Sequence, residues 1–422
     1  MERILVLLPI LKNEPVHRTP EAQLHELVSL TKAIQVDVIL AEFISLREIR
    51  PATYIGKGTL ERLRGLILEN KIDVVVMGCQ LSPIQQRNLE RAWHVKVIDK
   101  TALILEIFGE RARTKEGVLQ VELAHLTYAR SRLVRSWTHL ERQRGGAGFL
   151  GGPGETQIEL DRRLIDDDIS KIKKELESVK RTRQLHRQAR RKVPYPIVAL
   201  VGYTNAGKST LFNRLTKASV LAKDMLFATL DPTMRQIKLP HGQNVILSDT
   251  VGFISDLPTE LVMAFRATLE EVLEADVILH VRDCAHPDSE AQKQDVEAVL
   301  KDIGAWEESD QKVIEVLNKI DLLPSDEYKQ LIARKKRQEK QWPISSLTSE
   351  GIDELLLCVE RHLNQNRMEI KLEIPITEGS VIASLYSKGQ VLSRLDTDEM
   401  VLMHVLLMPK DLGTYQKYIA LS

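Results

Sequence analysis

The chain has little of several things, and each shortage narrows what it can be. It has three cysteines in 422 residues, Cys79, Cys284 and Cys358, far apart and without metal-ligand spacing. That excludes a disulfide scaffold and a zinc module, and suits a reducing cytosol. No stretch reaches the ~18 uncharged apolar residues of a membrane span. The apolar run Arg3 to Leu11 follows Glu2, lacks a small-residue cleavage site and gives way at once to Lys12 to Glu14, so it reads as a strand and not as a signal peptide. Net charge is zero, which excludes a uniformly basic or acidic protein. At 43% hydrophobic and 28% charged residues, the composition lacks the signature of disorder. A chain of this length is too long for one core, and the length prior suggests roughly three domains.

The charges are unevenly spread. From Arg111 to Lys192 there are 20 Lys and Arg against 11 Asp and Glu, a surplus of nine that the rest of the chain balances. A local surplus of this size points to a polyanionic partner for one region.

Residues 1–112 alternate strand-like and helix-like segments, the pattern of parallel strands with crossover helices. Tyr54 to Gly58, YIGKG, is a glycine turn ahead of a helix, either an anion site or a simple turn. Residues 113–192 hold two helical stretches with stripes at spacings of three and four, Leu119, Leu123, Leu126, Arg130, Leu133, Trp137 and Leu140 in one, and Ile158, Ile165, Ile169, Ile172, Leu176 and Val179 in the other, with Arg162 in the vacant place. The joint between them, Gly145 to Gly154, GGAGFLGGPG, contains six glycines in ten residues. It cannot pack as a helix and offers almost nothing to bury, so a tip that orders against a partner is expected. The short joint predicts an antiparallel helical hairpin. Arg130, Arg132, Arg135, Arg142 and Arg144 lie before the tip, and Lys180, Arg181, Arg183, Arg187, Arg190, Arg191 and Lys192 end the second helix. Val193 to Pro196, VPYP, marks a boundary. A third domain spans 193–365, and a small α/β domain without motifs spans 366–422, with strands expected at Glu369 to Ile376, Gln390 to Leu395 and Met400 to Met408 and helices at Val381 to Tyr386 and Lys410 to Tyr418.

The third domain carries the chemistry. The apolar run Pro196 to Val201 leads into Gly202, Tyr203, Thr204, Asn205, Ala206, Gly207, Lys208, Ser209 and Thr210, GYTNAGKST, and then a helix. A strand, a glycine loop and a helix start surround a polyphosphate with backbone N–H groups, with Lys208 on the outer phosphates and the Ser209 hydroxyl on Mg²⁺. Phe227, Ala228, Thr229, Leu230 and Asp231 follow in a segment without helical pattern; Thr229 is the candidate for a second Mg²⁺ hydroxyl, with Thr233 competing. A strand from Asn244 to Ser248 delivers Asp249, Thr250, Val251 and Gly252, DTVG. There the aspartate can hold Mg²⁺ through water and the Gly252 N–H can meet a γ-phosphate.

A further strand ends in Asn318, Lys319, Ile320 and Asp321, NKID. A carboxylate here accepts both the N1–H and the exocyclic amine of guanine, and adenine has no such donor pair. Ser345, Ser346 and Leu347 complete the base pocket from one more strand end. Phe253 stands where a Ras-like chain has the glutamine that orients the attacking water, so hydrolysis needs another group or a partner. Asn205 offers a carbonyl for a monovalent cation such as K⁺, or bonds its own backbone as a turn residue; Arg266, on the helix after the switch, is a weaker candidate that reads rather as a surface or packing residue. Lys208, Asn205 and Gly252 are the catalytic candidates.

GYTNAGKST, FATLD, DTVGF and NKID, preceded by RTKEGVLQVELAHLTYARSRL and GFLGGPGETQIELDRRLI, resemble the HflX family of ribosome-associated GTPases over nearly the whole chain. The resemblance implies an α/β P-loop GTPase domain, an N-terminal α/β parallel-sheet domain, a helical hairpin and a small C-terminal domain. It further implies a cytoplasmic protein that binds the 50S ribosomal subunit and its rRNA, chiefly in its GTP form, and helps separate or rescue stalled ribosomes; a monomer is expected. The hairpin tip would then probe rRNA near the peptidyl transferase centre. Some members of the family also use ATP, which NKID does not explain. The competing reading is a regulatory GTPase whose hairpin grips a protein or membrane partner.

Overall fold

The protein is described by a computed structural model covering residues 2–12, 18–143, 157–190, 195–217, 227, 233–255, 271–306, 312–335, 341–365, 367–407 and 409–419. The glycine-rich tip 145–154 and residues 228–231 lie outside the described residues, as do the side chains of the basic run 183–192 and Arg266.

The first unit is a four-stranded parallel sheet in the order β2-β1-β3-β4, built from β1 (Arg3–Leu11), β2 (Asp37–Leu46), β3 (Val74–Met77) and β4 (Lys96–Asp99). Both faces are covered, which is why β3 reads VVVM with no polar position. One face packs Ile4, Val6 and Leu8 against α1 (Pro20–Lys32) and α4 (Lys100–Arg111); the other packs Leu5 and Leu7 against α2 (Lys57–Glu69) and α3 (Pro83–Trp93). Ser82 and Gln85 form a reciprocal cap at the start of α3. The tight turn lies just ahead of YIGKG, where Arg50 and Tyr54 exchange backbone hydrogen bonds of 3.0 and 2.8 Å; within YIGKG itself Ile55 is fully buried and Lys57 and Gly58 already belong to α2.

Two long helices follow, α5 (Lys115–Gln143) and α6 (Gln157–Arg190). At 1.5 Å per residue each is on the order of 45–50 Å long. The expected stripe is what joins them: Leu119, Ile172 and Leu176 are buried together, with Leu123, Leu126 and Val179 against them. Two of the arginines expected to flank the tip are engaged inside the molecule. Arg130 Nε pairs with Asp166 across the hairpin at 2.8 Å. Arg132 reaches the fully buried Asp99 at 2.6 Å, a carboxylate that also caps α4 and accepts from the Tyr128 hydroxyl at 2.8 Å. Asp99 therefore fastens α5 to the end of β4.

The third unit is a six-stranded sheet in the order β10-β9-β8-β5-β7-β6. Its strands are β5 (Ile197–Gly202), β6 (Thr233–Lys238), β7 (Asn244–Asp249), β8 (Val277–Asp283), β9 (Val313–Asn318) and β10 (Gln341–Pro343). All pairings are parallel except β6 with β7. The polar strand β6, TMRQIK, has no clear apolar alternation and was not foreseen; it forms because it can hydrogen-bond at a sheet edge without burying a face. Helices α7 (Lys208–Thr216), α8 (Ser289–Asp302), α9 (Ser325–Lys335) and α10 (Ile352–Asn364) complete the unit. Strand order reverses at β5, which pairs with β8 on one side and β7 on the other, so the crevice for a ligand lies beyond its carboxyl end.

The last unit is an antiparallel sheet, β11-β13-β12, from β11 (Met368–Pro375), β12 (Gln390–Asp396) and β13 (Met400–Leu407), with α11 (Gly379–Lys388) across one face. The helix expected over Lys410 to Tyr418 is instead a short helical turn, Leu412–Tyr415, between two 3₁₀ turns, and its buried Tyr415 and Tyr418 close the core.

Candidate nucleotide site

The glycine loop leaves β5 at Gly202 and enters α7 at Lys208. Gly207 has φ +93, and a Cβ there would stand 2.2 Å from the Asn318 amide nitrogen. Only glycine serves, because the loop and NKID are in contact at this point. Asn318 supplies the connection: its Nδ2 donates to the Ala206 carbonyl at 2.8 Å, and its Oδ1 accepts from the Ser346 N–H at 3.0 Å and hydroxyl at 2.9 Å. One buried side chain thus joins the phosphate loop, NKID and the Ser345–Leu347 loop. Ile320 is buried, whereas Asp321 and Leu347 are exposed, with Asp321 on a 3₁₀ turn (Ile320–Leu322). Lys319, at φ +66, turns its ammonium to Asp283 at 2.7 Å. Ser345 is fully buried; its hydroxyl accepts from Thr348 N–H at 3.0 Å.

On the phosphate side Lys208 is 6% exposed, and its ammonium donates to the carbonyls of Gly202 at 2.9 Å and Tyr203 at 2.7 Å. Burial pushes its pKa down to about 8, although the nearby Asp249 carboxylate opposes the shift. Asp249 is fully buried at the end of β7 and accepts from the Ser209 hydroxyl at 2.8 Å. Hydroxyl and carboxylate oxygens side by side form the hard donor set that Mg²⁺ takes. The Thr204 hydroxyl oxygen is buried and has no partner among the described residues, an orphan inside the loop that a phosphate or water can satisfy.

The DTVG segment lies directly on this loop. Thr204 N–H donates to the Phe253 carbonyl at 2.7 Å, and Phe253 N–H donates to the Gly202 carbonyl at 3.1 Å. Gly252 is so close that a Cβ would stand 2.8 Å from the Thr204 methyl and 3.1 Å from the Lys208 ammonium. Thr250 points elsewhere, donating to the Leu200 carbonyl at 2.6 Å, and Val251 joins the core. The Phe253 ring is buried as well.

Two candidates, Tyr203 and Phe227, face away from the nucleotide crevice. Tyr203 is buried with its hydroxyl toward the N-terminal unit, accepting from Arg18 Nη1 at 2.8 Å and from the Ser255 N–H at 2.8 Å while it donates to Glu26. Burial and the Glu26 carboxylate raise its pKa, so the phenol stays protonated. Phe227 packs edge-on to Phe108 of α4, with centroids 4.7 Å apart. Asn205 is exposed at φ +59, the left-handed conformation of a turn residue. Thr233 opens β6 opposite Asp249. Lys100, at the start of α4, donates to the Ser255 carbonyl and hydroxyl at 3.0 and 2.9 Å, adding a second tie between the N-terminal sheet and the segment after DTVG. Sequence reasoning missed Arg214, whose Nε donates to the Ser346 carbonyl at 3.3 Å and whose Nη2 donates to that of Leu347. A basic residue in the last turn of a short helix carries no distinguishing signal.

Four family models match in series: GTP-binding GTPase N-terminal over residues 21–109, GTP-binding GTPase Middle Region over 111–190, 50S ribosome-binding GTPase over 197–319 and HflX C-terminal domain over 330–417. A GTPase HflX of Magnetococcus marinus is 47% identical over 97% of this chain and 94% of its own length. The chain belongs to the HflX family of GTPases. GTPase HflX of Escherichia coli is 44% identical over 86% of this chain and 84% of that protein. Among solved structures, SsGBP in complex with GDP is 25% identical with a TM-score of 0.50, covering 86% of this chain and 99% of that one. The HflX chain is thus a GTPase of α/β P-loop fold. Among its described residues no helix is long and apolar enough to cross a membrane.

Proposed function

We propose that this GTPase binds the large ribosomal subunit in its GTP form and promotes dissociation or rescue of stalled ribosomes, with hydrolysis to GDP and phosphate ending the encounter. The observation that carries the reading is the direct bonding of Thr204 and Phe253: the segment that senses a γ-phosphate shares backbone hydrogen bonds with the loop that cradles it. A γ-phosphate that draws on the neighbouring Gly252 N–H pulls a segment tied to the loop by those bonds, which would make the domain a switch. The ribosomal partner is supported by the 50S ribosome-binding GTPase match and by the basic surplus at 111–192, since Lys and Arg contacts to RNA phosphates supply salt-dependent affinity.

In this reading residues 113–192 form the RNA-facing arm and 193–365 the nucleotide domain, between an N-terminal domain ending at 112 and a C-terminal one starting at 366. Asp321 reads guanine, with backbone N–H groups of Ser345, Ser346 and Leu347 framing the base. Lys208 neutralises the outer phosphates, and the Gly252 N–H meets the γ-phosphate. Ser209 and Thr229 hold Mg²⁺ directly and Asp249 through water; the ion would neutralise charge between the phosphates. Asn205 helps to hold K⁺. Phe253 has no group to orient water, so turnover is slow until the ribosome supplies or positions one. The protein acts as a cytoplasmic monomer.

Sedimentation with ribosomal subunits tests the proposal. Co-migration with the large subunit is expected with a nonhydrolysable GTP analogue and not with GDP. Equal binding in both states, or none, would sink it, and recovery of a protein or membrane partner through the hairpin would replace it. For Asn205, hydrolysis should be faster in potassium than in sodium buffer; equal rates remove the cation.

A further inference from the structure

One two-stranded ribbon runs from the phosphate side of the nucleotide domain to the C-terminal unit. β6 and β7 pair without a break, from Thr233 opposite Asp249 at one end to Lys238 opposite Asn244 at the other. Six residues of strand span roughly 20 Å. The near end carries Asp249, whose carboxylate holds the Ser209 hydroxyl. β6 is the sheet's edge strand and pairs with β7.

At the far end the chain turns at Leu239 to Gln243, closed by Leu239 N–H to Gln243 O at 2.8 Å and Gly242 N–H to Leu239 O at 2.9 Å. Leu239 is buried in the same cluster as Leu355, Cys358 and Val359 of α10, a fixed point for the turn. Beside it, His241 Nδ1 lies 2.8 Å from Glu360 Oε2, and its backbone N–H donates to the same oxygen at 3.3 Å. The other oxygen of Glu360 accepts from Gln390 at 3.2 Å, and Gln390 opens β12 of the C-terminal sheet. Asn364 donates to Gln243 at 3.4 Å and to Gln390 at 3.1 Å. Glu360 is 4% exposed. A carboxylate buried that deeply depends on its hydrogen-bond donors, and here they come from two different units, the ribbon's turn and the C-terminal sheet. A cleft of about 1120 Å³ opens beside the joint, between Lys238 and Pro240 on one side and Leu392 and Leu406 on the other. The Asn364 side-chain oxygen Oδ1 is buried without a partner among the described residues, an acceptor that a shifted turn or sheet can satisfy.

We propose that the β6–β7 ribbon is a lever that sets the position of the C-terminal sheet according to the bound nucleotide, with Glu360 as its joint. The proposal rests on the reading of the chain as a GTP-driven switch. Whatever replaces the Ser209–Asp249 hydrogen bond acts on the near end of a ribbon with unbroken pairing. The far end cannot shift alone, because that strips donors from Glu360; the C-terminal sheet follows. The C-terminal unit is then a second output of the switch, at the end of the domain opposite the nucleotide.

Hydrogen exchange of the full chain, read by mass spectrometry with GDP and with a nonhydrolysable GTP analogue, tests this. In the wild type, peptides within 203–255 should differ between the two nucleotides, and peptides over 390–396 should differ by about fivefold in rate, the low end of typical couplings. His241→Ala and Glu360→Gln should keep the first difference and lose the second. His241 is largely exposed, so His241→Ala serves even if Glu360→Gln folds poorly, and Gln390→Ala attacks the joint from the other side. A merely structural joint would change exchange equally in both nucleotide states and leave the difference intact, which overturns the proposal. So does an unchanged 390–396 in a wild type whose 203–255 responds, a result that spares the switch. If 203–255 itself does not respond, the switch reading fails and the lever falls with it.

Discussion

The two halves of the nucleotide site are built differently. The base half is closed on itself: Asn318 ties the glycine loop to the Ser346 loop, and Arg214 holds that loop from α7, all within one domain. The phosphate half is shared. Its loop hydrogen-bonds the DTVGF segment, and Tyr203 and Ser255 carry those contacts on to Arg18, Glu26 and Lys100 of the N-terminal unit. A half that is closed can select a base without moving, while a half whose donors belong to neighbours cannot change without disturbing them. On the proposed reading, specificity and switching are thereby separated along one ligand.

The largest expected effect tests the closed half. Asp321→Asn removes the acceptor of two guanine donors and should lower GTP affinity about 10²-fold or more, with preference moving to xanthosine triphosphate, as read by nucleotide titration. Unchanged GTP affinity would place the base elsewhere.

This half was also the more legible one in the sequence. NKID and the Ser345–Leu347 loop stand out because base chemistry would demand particular side chains at a strand end, and the strands that lead into them followed from apolar runs. The shared half was legible in its backbone alone. GYTNAGKST fixes where the loop turns, yet nothing in it tells that the Tyr203 side chain leaves the crevice, or that Phe227 meets Phe108 more than a hundred residues earlier in the chain. Such contacts depend on how two domains are set against each other, and composition and periodicity report only what each domain needs for its own core. The edge strand β6 escaped for a related reason, since a strand that buries little carries little pattern.

The shared half predicts a cost at a distance from the nucleotide. Tyr203→Phe keeps the ring but leaves Arg18, Glu26 and the Ser255 N–H without a common partner, at about 1–2 kcal/mol for poorly satisfied groups. The denaturant midpoint should fall accordingly. A midpoint equal to the wild type would mean that the hydroxyl hub contributes nothing and that the two halves are alike.

A smaller effect comes from Lys208. Its folded pKa of about 8 lies below the unfolded value, so the folded chain holds fewer protons between the two, and stability rises with pH through that window. Nucleotide phosphates favour the charged ammonium, so binding takes up a proton near and above pH 8. Affinity for GDP should then weaken about fourfold from pH 7 to pH 8.5. Calorimetry in buffers of different ionisation enthalpy should show the uptake in the wild type and not in Lys208→Met; no uptake would mean that Lys208 is charged before ligand arrives.

The smallest effect tests whether the base half is as closed as its hydrogen bonds suggest. Arg214 lies in α7, the helix that begins at Lys208, and it grips two successive carbonyls of the Ser346–Leu347 loop. A guanidinium can donate to both at once; an ammonium is a single point of charge. The side chain is exposed, so water replaces much of what is lost, and Arg214→Ala should weaken GTP by only about threefold, with Arg214→Lys in between. The split between parameters carries the information. If Arg214 positions the base loop, KM rises while kcat holds, because the phosphate half keeps its own contacts. A fall in kcat at unchanged KM would mean that α7 transmits the base contact to Lys208, and the two halves would then work as one.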